Sequence, residues 1–388
     1  MQRRVMTERP NWQQVAEENG FVFHHVNGEI YWDERACWAF TLDEVETMIE
    51  DPSTELYALC LALVDDAVKS QEMMEQLCIP ETAWDYIANS WRSGEASLYG
   101  RFDLAYDGTG PAKLLEFNAD TPTSIYETAY FQWLWLEDVV AMGQLPEGTD
   151  QFNRLHEALM ERFTQILTPG SHLHFTGVAD HVEDRATVLY LEDLARQAGL
   201  EATFLPIDDI AVDRNGQFLD AQDAPIGALF KLYPWEDLLR ESFAAHLGKS
   251  QTLFIEPAWK AILSNKAILP LLWKRHRNHP NLLPAFFPES SGGLEMVTRP
   301  HVYKPLFSRE GADISLFDGR SHHKGPEQGY GAEGGIIQAL APLAQSGGNH
   351  AVVGSWIVGD DAVAMSIRED SGPITRDLAR YVPHVIIG

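Results

Sequence analysis

Apolar residues recur at helical spacing through most of the first hundred positions. Thr41 and Glu44 have the spacing of a capping box, in which each side chain bonds the backbone of the other at a helix start. A longer apolar helix is predicted over residues 56–68. Pro80 opens a further predicted helix, and Gly94 lies just past its end. The pattern therefore predicts a mainly helical N-terminal portion over residues 1–97.

Near residue 98 the pattern changes to one typical of strands. Residues 98–107 and 113–120 are predicted to form two strands joined by a turn that contains Gly and Pro. Apolar helices are predicted over residues 128–140 and around 151–167. We group these elements as one unit, a hairpin followed by helices, over residues 98–170.

The segment 171–260 has the order of a β-α-β unit. A strand, a helix closed by Gly199 and a second strand follow one another over residues 172–206, and such units imply parallel pairing. Two more buried strands are predicted over 226–235 and 252–257. The fold class is therefore α/β, with α+β character in places. The last segment, 261–388, is predicted to contain a helix (264–273), a loop (288–293), a strand (301–306), a mobile loop (318–335) and two strands around a turn (352–370).

Composition limits the possible partners. The 57 Asp and Glu residues outnumber the 29 Lys and Arg residues, which gives a formal net charge of −28. Nucleic acid and anionic membranes bind clustered cations, so both are excluded as partners. The three cysteines form no CxxC pair, the opening residues lack an apolar signal segment, and no apolar run approaches roughly 18 residues. We therefore expect a cytoplasmic protein.

The two strands of the predicted hairpin carry the most informative polar residues. Side chains two positions apart project from one face of a strand, so Arg101 projects with Asp103, and Glu116 with Asn118 and Asp120. In a suitable register, an arginine and several oxygen donors would meet on one surface. Such donors suit Mg²⁺, which takes one or two carboxylates plus nucleotide phosphates. The sequence does not fix the register, and a surface hairpin with solvated charges is the alternative.

Two lysines lie in apolar surroundings. Lys266 lies within residues 264–273, and Lys304 lies in an apparent strand. Either ammonium group could extend to water along an apolar surface, or it could meet an anion. Glu310 and Gly311 follow Lys304, and a turn that contains Gly lets backbone N–H groups approach a phosphate. The pattern GxxxxGK[ST] is absent, which excludes a Walker-type loop as the nucleotide site.

Together these pieces resemble the ATP-grasp synthetase domain of the glutathionylspermidine synthetase family, from about Trp12 to the end of the chain. The matching strings, in order, are GRFD, KLLEFNADTPTS, SNKAILPLLW, YKPLFSREGADI, IIQAL and SIREDSGPITRDLARYVPH. The metal motif precedes the nucleotide lysines, an order similar to the circularly permuted arrangement of eukaryotic-type glutathione synthetases. The resemblance therefore implies a circularly permuted ATP-grasp fold with glutathione-synthetase-like architecture. It also implies a ligase that phosphorylates a carboxylate with ATP and lets an amine attack the acyl phosphate.

The resemblance implies roles for individual residues as well. Asp103, Glu116 and Asn118 would bind two Mg²⁺ ions, and Lys266 and Lys304 would hold the phosphates of ATP. The other implied site residues are Gly311 and Ala312 in a loop over the phosphates, Gln338 beside adenine, Arg101 and Arg368 at the transferring phosphoryl group, and Thr121 and Glu183 at the acid substrate.

One position departs from the family pattern. Leu232 stands where the implied glutathione site has a threonine. Losing a hydroxyl that recognises a polar substrate changes which substrates fit. This departure leaves open substrates other than glutathione and spermidine. By the resemblance, the implied acid is a small peptide-like carboxylate, with glutathione as one candidate, and the implied amine has a polyamine as one candidate. Two alternatives stay open: an ATP-binding regulatory module that has lost ligation, and an enzyme that takes its acid from a peptide or protein partner.

Overall fold

The protein has a mixed α/β fold in the computed structural model, which describes residues 1–26, 28–178, 182–377 and 379–387. Its strands, in chain order, are β1 (Gln2–Val5), β2 (His25–Val26), β3 (Glu29–Ile30), β4 (Ala36–Phe40), β5 (Tyr99–Ala105), β6 (Lys113–Asn118), β7 (His172–Gly177), β8 (Glu201–Pro206), β9 (Ala211–Val212), β10 (Phe218–Leu219), β11 (Ala228–Leu232), β12 (Leu253–Ile255), β13 (Ala285–Phe286), β14 (His301–Pro305), β15 (Ser315–Phe317), β16 (His322–Lys324), β17 (Gly335–Ala339), β18 (Ala344–Ser346), β19 (Asn349–Val358), β20 (Asp361–Asp370), β21 (Arg380–Tyr381) and β22 (His384–Ile386).

Helices lie mainly between Leu42 and Arg275. The α-helices are α1 (Trp12–Glu18), α2 (Leu42–Val45), α3 (Asp51–Ala67), α4 (Gln71–Gln76), α5 (Trp84–Arg92), α6 (Gln132–Ala141), α7 (Leu155–Ile166), α8 (Val182–Gln197), α9 (Trp235–Leu238), α10 (Ala244–Leu247), α11 (Lys260–Leu263), α12 (Ile268–Arg275) and α13 (Ser291–Met296). Two π-helical segments (Glu46–Glu50, Glu127–Phe131) and two 3₁₀ turns (Glu81–Ala83, Ile207–Asp209) complete the described helical structure.

Strands from both ends of the described chain form a small sheet, β1-β4-β22. The sequence did not separate these strands from the helices around them, because β4 is buried along its whole length and shows no alternation. The predicted capping box is confirmed. The Glu44 amide donates to Thr41 Oγ1 at 3.1 Å, and the Thr41 amide donates to Glu44 Oε2 at 2.9 Å. The helix predicted over residues 56–68 is confirmed as part of α3, which packs against β19, β20 and α12.

The central sheet is antiparallel, with the order β21-β20-β19-β5-β6 and with β18 paired to β19. β5 and β6 form the predicted hairpin. Their register places Arg101 opposite Asn118 and Asp103 opposite Glu116. Side chains directly opposite each other lie on the same face, so all four project together. On the far side of β19, β20 presents Arg368 on that face.

The predicted β-α-β unit is confirmed in a second sheet, whose strands are all parallel. Its order is β12-β11-β7-β8, and α8 connects β7 to β8. Carboxyl ends of parallel strands meet at one edge, and ligands of α/β proteins bind outside that edge. The residues that follow β7, β8 and β11 therefore lie at the edge where a ligand is expected.

A third large sheet is antiparallel, with the order β13-β17-β14-β15-β16. Two predictions for this part of the chain were wrong. The segment 318–335 is not a continuous loop, because His322–Lys324 pairs with β15 as a strand. Residues 288–293 are not wholly a loop either, since Ser290 Oγ accepts a hydrogen bond from the Gly293 amide at 3.1 Å and caps α13. Among the described residues, no helix is long and apolar enough to cross a membrane.

Candidate active site

A cavity of about 440 Å³, the main cavity, lies where the three large sheets meet. Most residues that the sequence predicted for a ligase site line it. They are Arg101, Asp103, Glu116, Asn118, Thr121, Lys304, Gly311, Gln338 and Arg368. Residues distant in sequence therefore converge on one space, as the predicted chemistry needs.

Three predicted residues do not line the main cavity. Lys266 lies in the turn before α12 and lines a pocket of about 50 Å³, which shares Glu116 and Asn118 with the main cavity. Ala312 is fully buried in its loop. Glu183 lies outside both linings, although its neighbour Asp184 lines the main cavity.

Asp103 is the hub of the polar face. Its carboxylate accepts hydrogen bonds from Arg368 Nη2 at 2.6 Å, from Arg101 Nε at 2.8 Å and from Asn118 Nδ2 at 3.2 Å. Only 3% of Asp103 is exposed. Two guanidinium groups on one buried carboxylate leave an excess of positive charge, which favours a further anion at this face.

Glu116 lies among cations. Lys266 Nζ is 3.2 Å from Glu116 Oε2, and Lys304 Nζ donates to the Leu115 carbonyl at 2.7 Å. Burial alone would raise the pKa of Glu116, but the charges of Lys266, Lys304 and Arg368 hold that pKa at about 2. Burial lowers the pKa of Lys304 to about 8, although Glu116 opposes that change. Glu116 is therefore an ionised carboxylate beside two ammonium groups.

Arg101 is held on three sides. Its Nη1 donates to the Thr123 carbonyl at 2.9 Å, its Nε bonds Asp103, and its guanidinium lies over the Trp356 ring at 5.5 Å from the centroid. Gly354 provides the space beside it, because a Cβ atom there would lie only 3.0 Å from Arg101 Cδ. The side chain is thus fixed before any ligand binds.

The loop after β14 reaches across to α9. Arg309 Nη1 donates to Thr121 Oγ1 at 2.9 Å, and its Nη2 donates to Glu236 Oε1 at 2.6 Å. Gly311 has φ 71°, and a Cβ atom there would lie 2.7 Å from the Thr375 carbonyl oxygen. A glycine is therefore required for this loop to lie against the segment after β20. Arg309 precedes Gly311 in this loop and connects the loop to two other segments.

Asp120 is placed differently from the expectation. β6 ends at Asn118, and Asp120 turns away from Glu116 to bond Lys231 Nζ at 2.7 Å and the Trp235 amide at 2.8 Å. Both members of the ion pair are buried. The prediction that Asp120 shares the face of Glu116 was wrong, because β6 ends two residues before Asp120. The sequence signal for this ion pair was Lys231, a lysine inside the buried strand β11.

A second buried group lies behind Arg101. Tyr31 donates to Glu127 Oε1 at 2.6 Å and contacts Ser124 Oγ at 3.0 Å, one residue from the carbonyl that Arg101 bonds. Burial, with a smaller contribution from the charge of Glu183, raises the pKa of Glu127 to about 8. Sequence reasoning missed this group, because Tyr31 and Glu127 are far apart along the chain and no motif joins them.

The donor set fits a magnesium ion that is completed by a nucleotide. Asp103 and Glu116 supply carboxylates, and Asn118 supplies an amide oxygen, from directly neighbouring strands. Within the described ranges, no group of three or more His, Cys, Asp or Glu side chains is placed to hold a metal ion. Mg²⁺ does not need such a group, because it is commonly bound by one or two carboxylates plus phosphate oxygens.

Comparison with known proteins gives consistent matches. The family model described as glutathionylspermidine synthase preATP-grasp matches residues 3–387. A Haemophilus influenzae protein named "Putative acid–amine ligase" is 39% identical over 395 residues, covering 98% of each chain. Trypanothione synthetase of Crithidia fasciculata is 29% identical over 347 residues, which are 83% of this chain and 52% of that protein. The bifunctional glutathionylspermidine synthetase/amidase of Escherichia coli K12 is 24% identical over 399 residues, 95% of this chain and 62% of that protein.

A solved structure shares the fold. The apo form of a glutathione synthetase-like effector from Globodera pallida has a TM-score of 0.61 at 10% identity, and the match covers 97% of this chain and 95% of that one. The fold and the relatives together define an enzyme class, the ligases that form C–N bonds with ATP. The chain belongs to the glutathionylspermidine synthase family.

Proposed function

We propose that this protein is an ATP-dependent carboxylate–amine ligase that forms an amide through an acyl phosphate. The proposed architecture is a circularly permuted ATP-grasp fold, in which the metal-binding hairpin (98–170) precedes the nucleotide-binding segment (261–388). One observation carries the proposal. Asp103 and Glu116 oppose each other on neighbouring strands, and two arginines and two lysines surround them.

The polar face divides into two proposed roles. Asp103, Glu116 and Asn118 hold Mg²⁺, with two ions as the proposed number, and the metal would neutralise charge on the phosphates. Lys266 and Lys304 hold the phosphate chain. Gln338 lies beside adenine, a role supported by its position on β17 next to the apolar lining residues Val302 and Leu340.

Phosphoryl transfer depends mainly on positioning and charge stabilisation. In the proposed first step, a carboxylate oxygen of the acid takes the γ-phosphoryl group of ATP, and ADP leaves. Arg101 and Arg368 stabilise the charge that spreads over the transferring group. The amine loses its ammonium proton to solvent, its nitrogen attacks the acyl carbon, phosphate leaves with the bond electrons, and the nitrogen loses a second proton to give the amide.

An acyl phosphate must be kept from water. The proposed lid is the loop of Gly311 and Ala312, and its contacts through Arg309 to Thr121 and Glu236 support that role. Thr121 also lines the main cavity. The same residue would therefore contact both the lid and the acid substrate.

The proposed acid is a small peptide-like carboxylate, with glutathione as one candidate, and the proposed amine has a polyamine as one candidate. Thr121 and Glu183 are the proposed contacts to the acid. Leu232 lines the main cavity with an apolar side chain, which favours an acid with less hydrogen bonding at that point. The net charge of −28 attracts a cationic amine at long range.

ADP release measured with acid alone, amine alone and acid–amine pairs tests the proposal. Release that requires both partners and Mg²⁺ is the expected result. ATP binding without release, over a panel of peptides, glutathione and polyamines, would instead support the regulatory module that has lost ligation.

A further inference from the structure

A separate cavity of about 370 Å³, here called the sheet-edge cavity, lies at the carboxyl ends of the parallel strands. Val178 follows β7, Ile207 follows β8 and Tyr233 follows β11, and all three line it. Val178 and Tyr233 also line the main cavity, so the two spaces are neighbours. The proposed ligation uses none of the other residues of the sheet-edge cavity.

The walls of the sheet-edge cavity are mainly apolar, with aliphatic and aromatic side chains. Phe218 and Phe254 meet edge to face inside it, with centroids 5.6 Å apart. At its mouth, Phe243 is 41% exposed and Val178 is 44% exposed. Cavities of this size with apolar walls and a few polar groups are typical small-molecule sites. The body of a ligand here is therefore apolar.

The polar groups of the sheet-edge cavity are anionic in sum. Asp208 and Glu241 line it, and Tyr233 donates its hydroxyl hydrogen to Glu241. Lys231 also lines it, but Asp120 offsets that charge, and the Tyr233 carbonyl and the Trp235 ring hold the ammonium group. Burial and the negative charges of Glu241 and Asp208 raise the pKa of Tyr233. The residual field favours a cation.

We propose that the sheet-edge cavity binds a small organic cation, a protonated amine that carries an apolar body. The apolar body lies against Phe218 and Phe254, and the ammonium group lies beside Asp208 and Glu241, within reach of the exposed ring of Phe243. Asp208 and Glu241 line the sheet-edge cavity and not the main cavity of Asp103 and Glu116, so an amine in this position is not the nucleophile of ligation. The site is a binding site in its own right, and it does not depend on whether the protein ligates.

Calorimetric titration of the full chain with 2-phenylethylamine at neutral pH, without ATP, tests the proposal. We expect saturable binding of this amine and at least tenfold weaker binding of 3-phenylpropionate, which has a similar body and the opposite charge. Binding is expected to persist when the main cavity holds Mg²⁺ and a non-hydrolysable ATP analogue. No binding, equal binding of the two probes, or loss of binding with the analogue would each overturn it.

Two pairs of variants locate the site. Asp208→Asn should weaken binding by about threefold, the size expected for an exposed charge contact, while Asp209→Asn, the exposed neighbour that does not line the cavity, should leave affinity unchanged. Phe243→Ala should weaken binding, while Trp133→Ala, an exposed aromatic residue elsewhere, should not. Far-UV circular dichroism checks that each variant folds. If a folded Asp208→Asn binds as Asp209→Asn does, the assignment is wrong.

Discussion

Asp103 and Glu116 lie directly opposite each other on β5 and β6, and each is bonded by cations from other elements. Arg368 reaches Asp103 from β20, while Lys266 reaches Glu116 from the turn before α12. A surface hairpin would leave such charges solvated, yet Asp103 is 3% exposed. The pairing therefore joins three parts of the chain at one pair of carboxylates.

Neutralising either carboxylate should abolish ligation without unfolding the protein. Asp103→Asn and Glu116→Gln keep the shape of the side chain but remove its negative charge. Because fixed charges at the site stabilise the transition state, we expect turnover to fall at least about 100-fold. Amides are preferable to alanine, because the amide oxygen that Asp103→Asn introduces can still accept a hydrogen bond from the buried Arg101, which alanine cannot. Steady-state ADP release measures the effect. Asp360→Asn, an exposed carboxylate in the turn between β19 and β20, is the control and should keep full activity.

Gly354 should matter through Arg101. Gly354→Ala places a Cβ atom against Ser366 Oγ, which bonds the Trp356 indole, and 3.0 Å from Arg101 Cδ, so we expect the Arg101 side chain to move relative to Trp356. A shift of about 1 Å at a catalytic group can cost about 100-fold in rate. We expect a lower kcat with nearly unchanged KM for ATP, measured by ADP release. Gly227→Ala, where a Cβ atom meets open space, is the matched control. Equal kcat values for the two variants would show that Arg101 does not need this space.

The contacts of Arg309 should couple ATP use to product formation. Arg309→Met removes the hydrogen bonds to Thr121 and Glu236, so the loop should close less completely and admit water. We expect ADP release to exceed amide formation in this variant, by chromatography of both products from one reaction. Arg299→Met removes an exposed arginine that pairs with Glu295 and should leave the ratio at one. A ratio of one in both variants would contradict a lid role for the loop.

Glu127 should make stability depend on pH. Because burial raises its pKa to about 8, the stabilising effect of its protonated form is complete below its ordinary pKa near 4.5 and is lost as the pH rises through about 8. The wild-type melting temperature should thus fall more between pH 5.5 and pH 8.5 than that of Glu127→Gln, whose amide does not ionise. Glu137→Gln, an exposed change on α6, should follow the wild type. Parallel curves for wild type and Glu127→Gln would mean that Glu127 is ionised throughout.

Local patterns were sufficient to predict much of the fold. The capping box at Thr41, the β-α-β unit over residues 172–206 and the hairpin strands all depend on neighbours in sequence, and the structure confirms them. β4 was not predicted, because its partner β22 lies at the other end of the described chain. β16 was not predicted, because it lies in a segment rich in turn-forming residues.

Site chemistry was less accessible to sequence reasoning wherever it depends on register or on long-range contacts. Side-chain alternation correctly placed Arg101 with Asp103 and Glu116 with Asn118, but it also assigned Asp120 to that face. The strand ends before Asp120, which meets Lys231 instead. The contacts of Arg309 and the group formed by Tyr31 and Glu127 join residues too distant for any motif to connect.

Oxygen transfer from the acid tests the ligase proposal most directly. A carboxylate labelled with ¹⁸O in the acid of the most active acid–amine pair, incubated with ATP, Mg²⁺ and the amine, should yield phosphate that carries one ¹⁸O atom. That result follows because the carboxylate oxygen takes the phosphoryl group and leaves with it when the amine attacks. Phosphate without the label, released together with the amide, would contradict an acyl phosphate at the site of Asp103 and Glu116.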